Sequence, residues 1–325
     1  MSAQSSLPSG MAYFYQTRKS TIQRSFFLSC FILLAALFFL YQTEVFQIRS
    51  SPEISAVNPT PTLTGPNDGI KTPLIRGSND VALVAPKTRD ENVRWMATFC
   101  KQFGCTPYIY TTDEIPEEDY LHPRTLKGHE AAAYLTYIVD HYDHLSPFTI
   151  FIHGKDEHWH NDAAGPKTSN VLLNLRFEAA RAYGYVNLRC LAVPGCPDSL
   201  HPAVNQKTDL EYHQLVEDFP QIYYELFGES DAPSQVGHQC CGQFIVTRDR
   251  IRQRPRSDYE RLLHWVGNTT RTDSYGIGWT LEKLWHIIFG MNAVHCPPVE
   301  QCRCDVYGWC GPNPSTSNEV LIPIR

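Results

Sequence analysis

Between Val81 and Gly290, short β-branched and aromatic runs alternate with segments of helical periodicity, and no other feature limits the fold as tightly. "VALVAP", "PYIYTTD", "FTIFI", "YVNLRC" and "GQFIVT" have the composition of strands. Between them, "DENVRWMATFC", "GHEAAAYLTYIVDHYDHL" and "NVLLNLRFEAARAY" have the spacing of helices, and shorter helices are expected at "DLEYHQLV" and "PQIYYELFG". "FTIFI" is apolar on both faces, as a strand inside a parallel sheet must be. The alternation predicts an α/β domain with a mostly parallel sheet and flanking helices. Ser257 and Glu260 have capping-box spacing for a later helix, and "TLEKLWHIIFG", stopped by Gly290, is expected to be the last.

Upstream, "SFFLSCFILLAALFFLY" (25–41) is uncharged and almost wholly apolar, which predicts a transmembrane signal anchor over 25–45. Arg18, Lys19 and Arg24 precede it, so residues 1–24 are expected to be a cytosolic tail and the rest lumenal. Residues 46–79, rich in Pro, Ser and Thr, read as a stem, 80–312 as the lumenal α/β domain, and 313–325 as a C-terminal tail. This describes a single-pass type II protein of the endoplasmic reticulum or Golgi membrane. Of 11 cysteines, Cys30 lies in the apolar run, leaving 11 − 1 = 10, enough for five disulfides in an oxidising compartment. Asn268 in "NTT" is a glycosylation acceptor that fits this orientation. "HCPPVEQCRCDVYGWCGP" predicts a disulfide-stapled cap, with a four-thiolate zinc site as the alternative. Cys240 and Cys241 are expected to bond to separate partners, because closure between neighbours is unfavourable. The net charge of −6 includes no long basic run, so nucleic acid is not the expected partner.

Open α/β sheets bind ligands beyond the carboxyl ends of their strands. "FIHGKDEHWHND" occupies that position after "FTIFI", and His153, Asp156, His158, His160 and Asp162 are close enough in sequence to converge on one cation or phosphate. Imidazole plus carboxylate suits a divalent metal such as manganese or zinc. The competing reading is a hydrogen-bonding polar loop. Glu282 and His286, four residues apart on a helix, either pair with each other or supply a base and a metal ligand. Arg248, nearest a strand end in "TRDRIRQRPR", is a candidate diphosphate contact. Lys127 and Gly128 in "KGHEA" could hold an anion at a helix start, although capping explains the glycine equally well. GxSxG, P-loop, HExxH and DxD patterns are all missing.

Several ordered blocks, "KGHEAAAYLTYIVDHYDHL", "FIHGKDEHWHND", "GYVNLRC", "CCGQFIVTRDRIRQRPRSDYERLLHW", "LEKLWHIIFG" and "CRCDVYGWC", resemble a fungal family known as domain of unknown function 3431. The likeness covers residues 80–312 and directs attention to His153, Trp159, His160 and Asp162, with Trp159 as a substrate contact. A looser likeness is to GT-A glycosyltransferases. It implies a catalytic Glu282 with Asp162, a metal (manganese first) on His153, His158, His160 and His286, and substrate contacts at Lys127, Gly128 and Arg248. The implied reaction is transfer from a nucleotide sugar to a glycan or small-molecule acceptor. The rivals are a metal-dependent hydrolase or oxidative tailoring enzyme, and a non-catalytic membrane protein that binds a glycan or partner.

Overall fold

The computed structural model describes residues 80–162, 164–201 and 213–311. In chain order the strands are β1 (Val81–Lys87), β2 (Thr106–Thr111), β3 (Phe148–Phe151), β4 (Tyr185–Asn187), β5 (Gly237–His238), β6 (Phe244–Thr247) and β7 (Val294–His295). The helices are α1 (Arg94–Phe103), α2 (Glu130–His141), α3 (Thr168–Asn174), α4 (Phe177–Tyr183), α5 (His213–Glu217), α6 (Phe219–Phe227), α7 (Arg248–Arg252), α8 (Arg256–Asn268), α9 (Ser274–Glu282), α10 (Trp285–Ile288) and α11 (Val299–Tyr307).

Five strands form one sheet in the order β2-β1-β3-β6-β4, and β5 pairs with β7 in a small second sheet. Period-two alternation divides the core between the faces of the larger sheet. Ala82, Val84, Phe151, Tyr185, Phe244 and Val246 pack with α2, α8, α9 and α10. Leu83, Ile150, Val186 and Ile245 face the opposite way, against α1, α3, α4 and α11.

The sheet is mixed, which corrects the expectation of a mostly parallel, GT-A-like sheet. β1 is parallel to β2 and β3, whereas β6 is antiparallel to both β3 and β4. A strand buried on both faces reads as apolar in either direction, so "GQFIVT" carries no sign of its polarity. The reversal has a local consequence. Phe151 at the carboxyl end of β3 pairs with Phe244 at the amino end of β6, and Asn187 at the carboxyl end of β4 also pairs with Phe244. The segment entering β6 therefore arrives at the edge where β3 releases His153.

The membrane expectations are corrected as well. Among the described residues no helix is long and apolar enough to cross a membrane. At about 1.5 Å per residue, the 13-residue α8 spans roughly 20 Å, well short of a hydrocarbon core of about 30 Å. The apolar run at 25–41, the remainder of the tail and stem through 79, and residues 312–325 lie outside the described residues. The type II topology, the membrane partner and the endoplasmic reticulum or Golgi membrane location have no support in the structure.

Among the described residues, five disulfides join Cys100–Cys105, Cys190–Cys302, Cys196–Cys296, Cys240–Cys241 and Cys304–Cys310. The expected cap is therefore stapled by sulfur and is not a zinc site. The expectation for Cys240 and Cys241 is overturned: the other eight cysteines among the described residues pair among themselves, and these two bond to each other. Cys241 adopts φ +92° in the turn that joins them.

Two long periodic segments are broken. "NVLLNLRFEAARAY" forms α3 and α4, and "TLEKLWHIIFG" divides at Lys283 and Leu284 into the end of α9 and α10. The cap adds a later helix, α11, tied to the β4 edge by Cys190–Cys302 and by the Tyr307 hydroxyl donating to the Leu188 carbonyl. α8 starts one residue before Ser257, after Pro255, without a side-chain cap.

Candidate metal centre

A cleft of about 500 Å³ opens at the carboxyl edge of β1 and β3. Pro86, Lys87 and Thr88 from the end of β1 form one side, and His153, Gly154, His158, Trp159 and His160 from the loop after β3 form the floor. His129 and Glu130 at the start of α2, with Tyr275, Gly278, Trp279 and Glu282 of α9, form the opposite side, and Cys240 completes it.

The three histidines expected from "FIHGKDEHWHND" converge. One ligand nitrogen from each of His153, His158 and His160 lies within 4.8 Å of the others. The His153 and His158 rings stack at 4.7 Å, and the His158 and His160 ring centroids are 4.0 Å apart. His153 Nε2 donates to the Cys241 carbonyl at 3.2 Å, and His158 Nδ1 accepts from the backbone N–H of His160 at 3.3 Å. His160 Nδ1 is buried without a hydrogen-bond partner. Burial, with the nearby His153 and Lys155, lowers the His158 imidazole to about 4. Burial, with His153, His158 and Arg189, lowers His160 to about 2. Both are neutral at neutral pH, the form that ligates metal.

The loop is held from behind. Gln243 accepts at Oε1 from the backbone N–H of His153 and donates from Nε2 to Asn161 Oδ1. Buried Arg189 donates to the carbonyls of His160 and Val193 and lies over the Trp159 ring at 5.8 Å. Trp159 itself lines the cleft with 66% of its surface exposed. The two candidate aspartates of the motif face elsewhere: Asp162 Oδ2 accepts from the backbone N–H groups of Cys190 and Leu191, and Asp156 Oδ1 accepts from that of Ser169 at the start of α3.

Glu282 enters the cleft, and its Oε1 accepts from the backbone N–H of Cys241 at 3.0 Å. Burial raises its carboxyl above the usual range, and the neighbouring Glu130 charge adds to the rise. Cys240 and Cys241 also come close to Glu282, but as a disulfide their sulfurs offer no thiolate, so only the carboxylate is a ligand group there. The break after Glu282 separates it from His286, which turns into the core at 0% exposure beside His238, with ring centroids 4.3 Å apart. Its Nε2 donates to the Ala293 carbonyl.

The remaining candidates stay out of the cleft. Arg248 starts α7, donates its backbone N–H to the Pro147 carbonyl and pairs with Asp249. Exposed Lys127 reaches the Thr269 carbonyl. Gly128, at φ +83°, packs so tightly on α9 that a β-carbon would lie 2.7 Å from Ile277 Cγ2. It serves the turn that carries His129, at φ +49°, and Glu130 into the site. Exposed Asn268 ends α8, its Nδ2 on the His264 carbonyl.

His129, Glu130, Cys240, Tyr275 and Trp279 went unnoticed in the sequence as cleft residues. The one local signal was the glycine-bearing turn before α2.

A family model described as "Protein of unknown function (DUF3431)" matches residues 83–305. The chain belongs to that family. Membership in DUF3431 covers the cleft, the sheet and all but the last cysteine pair, and brings neither an organism nor an activity. No curated protein and no solved structure matches the chain. The likeness to GT-A glycosyltransferases therefore finds no counterpart, and with Arg248 outside the cleft the nucleotide-sugar and glycan partners are unsupported. The expected function is corrected accordingly: with no spanning helix among the described residues and a family of unknown function, neither the type II transferase nor its membrane-bound rivals is sustained.

Proposed function

We propose that the DUF3431 cleft is a mononuclear transition-metal centre on His153, His158 and His160, with Glu282 as its proton-transfer group. The observation that carries this reading is the convergence of three imidazoles on one floor, with His160 Nδ1 buried and unpartnered among the described residues. Three protein nitrogens leave a fourth position for water or a ligand oxygen, the arrangement of catalytic metal sites. A bound divalent ion would lower the pKa of that oxygen, and a carboxyl whose pKa burial has raised is suited to exchange a proton with it. Because Asp156 and Asp162 are engaged with backbone, the donor set is imidazole alone. It favours zinc, copper or nickel over manganese, which prefers oxygen donors.

Cobalt substitution tests both halves. The Co(II) protein should show visible ligand-field bands whose pH transition shifts in Glu282→Gln while the metal content is unchanged. A transition at the same pH in that variant would remove Glu282 from the site, and the lack of any bound cobalt would remove the centre.

A further inference from the structure

Beneath the cleft, the rings of Trp285 and Tyr134 lie 5.6 Å apart, both fully buried. Among the described residues, neither the Trp285 Nε1–H nor the Tyr134 hydroxyl has a hydrogen-bond partner. Native proteins leave few buried donors unpaired, so each of these donors calls for an acceptor.

Gly242 lies beside the Trp285 donor. A β-carbon on this residue would lie 3.8 Å from Trp285 Nε1, 3.9 Å from Glu130 Oε1 and 4.0 Å from Glu282 Cγ. The glycine thus borders a small space shared by an indole donor and the two cleft carboxylates. Tyr134 is within their electrostatic reach: burial raises its hydroxyl well above the ordinary value, and the charges of Glu130 and then Glu282 add to that rise.

The chemistry of this lining is selective. An anion would meet two carboxylates, and an ammonium group could not accept from the indole. An O–H group does both, since it accepts from N–H and donates to carboxylate. We propose that a hydroxyl oxygen occupies the space beside Gly242, supplied by water in the free protein and by a ligand's hydroxyl when one enters. It accepts from Trp285, bonds Tyr134 and ties Glu130 to Glu282. With two to four polar partners it meets the requirement for a buried water. The site is independent of whether metal binds to the histidines.

Two measurements test it. A high-resolution crystal structure of the alcohol-free protein should show density within hydrogen-bonding distance of Trp285 Nε1 and at least one of the two carboxylates. Soaking in methanol should place that alcohol's oxygen at the same point if ligand hydroxyls use the site; water retained there instead would assign it to solvent alone and overturn the ligand half. Tyr134→Phe removes only the hydroxyl, so it should lower Tm by roughly 2–4 °C, and by less in a Glu282→Gln background. No density together with an unchanged or raised Tm for Tyr134→Phe would overturn the proposal, because deleting a donor that bonds nothing is neutral or stabilising.

Discussion

In the triad, His153 donates from Nε2 to the Cys241 carbonyl, which leaves Nδ1 as its nitrogen for a ligand, and His160 Nδ1 has no partner among the described residues; His158 Nδ1 accepts from the His160 amide, so His158 must give up that bond to ligate. The His238 and His286 pair has a different role, since both rings are buried and donate to backbone carbonyls. Burial lowers His238 to about 4, and burial with the His238 charge lowers His286 to about 2, against about 6.5 in the unfolded chain. The unfolded state therefore binds these protons first. Stability from the pair should be fully present above about pH 6.5 and fall as pH drops toward 4, by roughly 3 kcal/mol for His238 alone. Urea midpoints at pH 7, 5.5 and 4.5 should decline, with a shallower decline in His286→Leu; equal midpoints would contradict the assignment. At this scale the sequence was informative where the proposed ligands are neighbours. His153, His158, His160 and Trp159 sit within eight residues, whereas Glu130 and Tyr275 reach the cleft only through tertiary packing, which periodicity does not report.

Local turns decide which side chains the elements present. Gly128 holds the start of α2 against α9, so Gly128→Ala should destabilise the fold by about 2 kcal/mol through positive φ and the contact with Ile277. Denaturant unfolding would measure this, and a loss under about 0.5 kcal/mol would show that the turn relaxes freely. The break at Lys283 and Leu284 has the larger effect on the site. In a continuous helix Glu282 and His286 would share a face; the break sends Glu282 to the cleft and His286 to the core. "LEKLWHIIFG" hid this because its segment is apolar nearly all round, and an apolar stripe without a polar counterpart has no phase to interrupt. "FTIFI" was legible for the opposite reason: five buried residues between a helix and a polar loop leave little choice of conformation.

For the whole molecule, the disulfides differ by the length of chain they close. Cys196–Cys296 and Cys190–Cys302 span 100 and 112 residues, whereas Cys100–Cys105 spans 5. In the chain-entropy account, replacing the Cys196–Cys296 pair by serines should cost about 5 kcal/mol and the Cys100–Cys105 pair about 2 kcal/mol. Comparing unfolding midpoints of the two double variants checks the order, and equal losses would contradict it. The α/β class was legible from alternation, but the direction of β6 was not, since buried strands look alike either way. That direction brings Cys241 and Gln243 to His153 and so completes the centre. The most direct test of the account is zinc stoichiometry by elemental analysis, after loading and exhaustive dialysis at neutral pH. The wild-type protein should retain about one zinc per chain, and His160→Ala, folded by circular dichroism, should retain almost none. Equal retention by both proteins, or by neither, would contradict a metal centre on His153, His158 and His160.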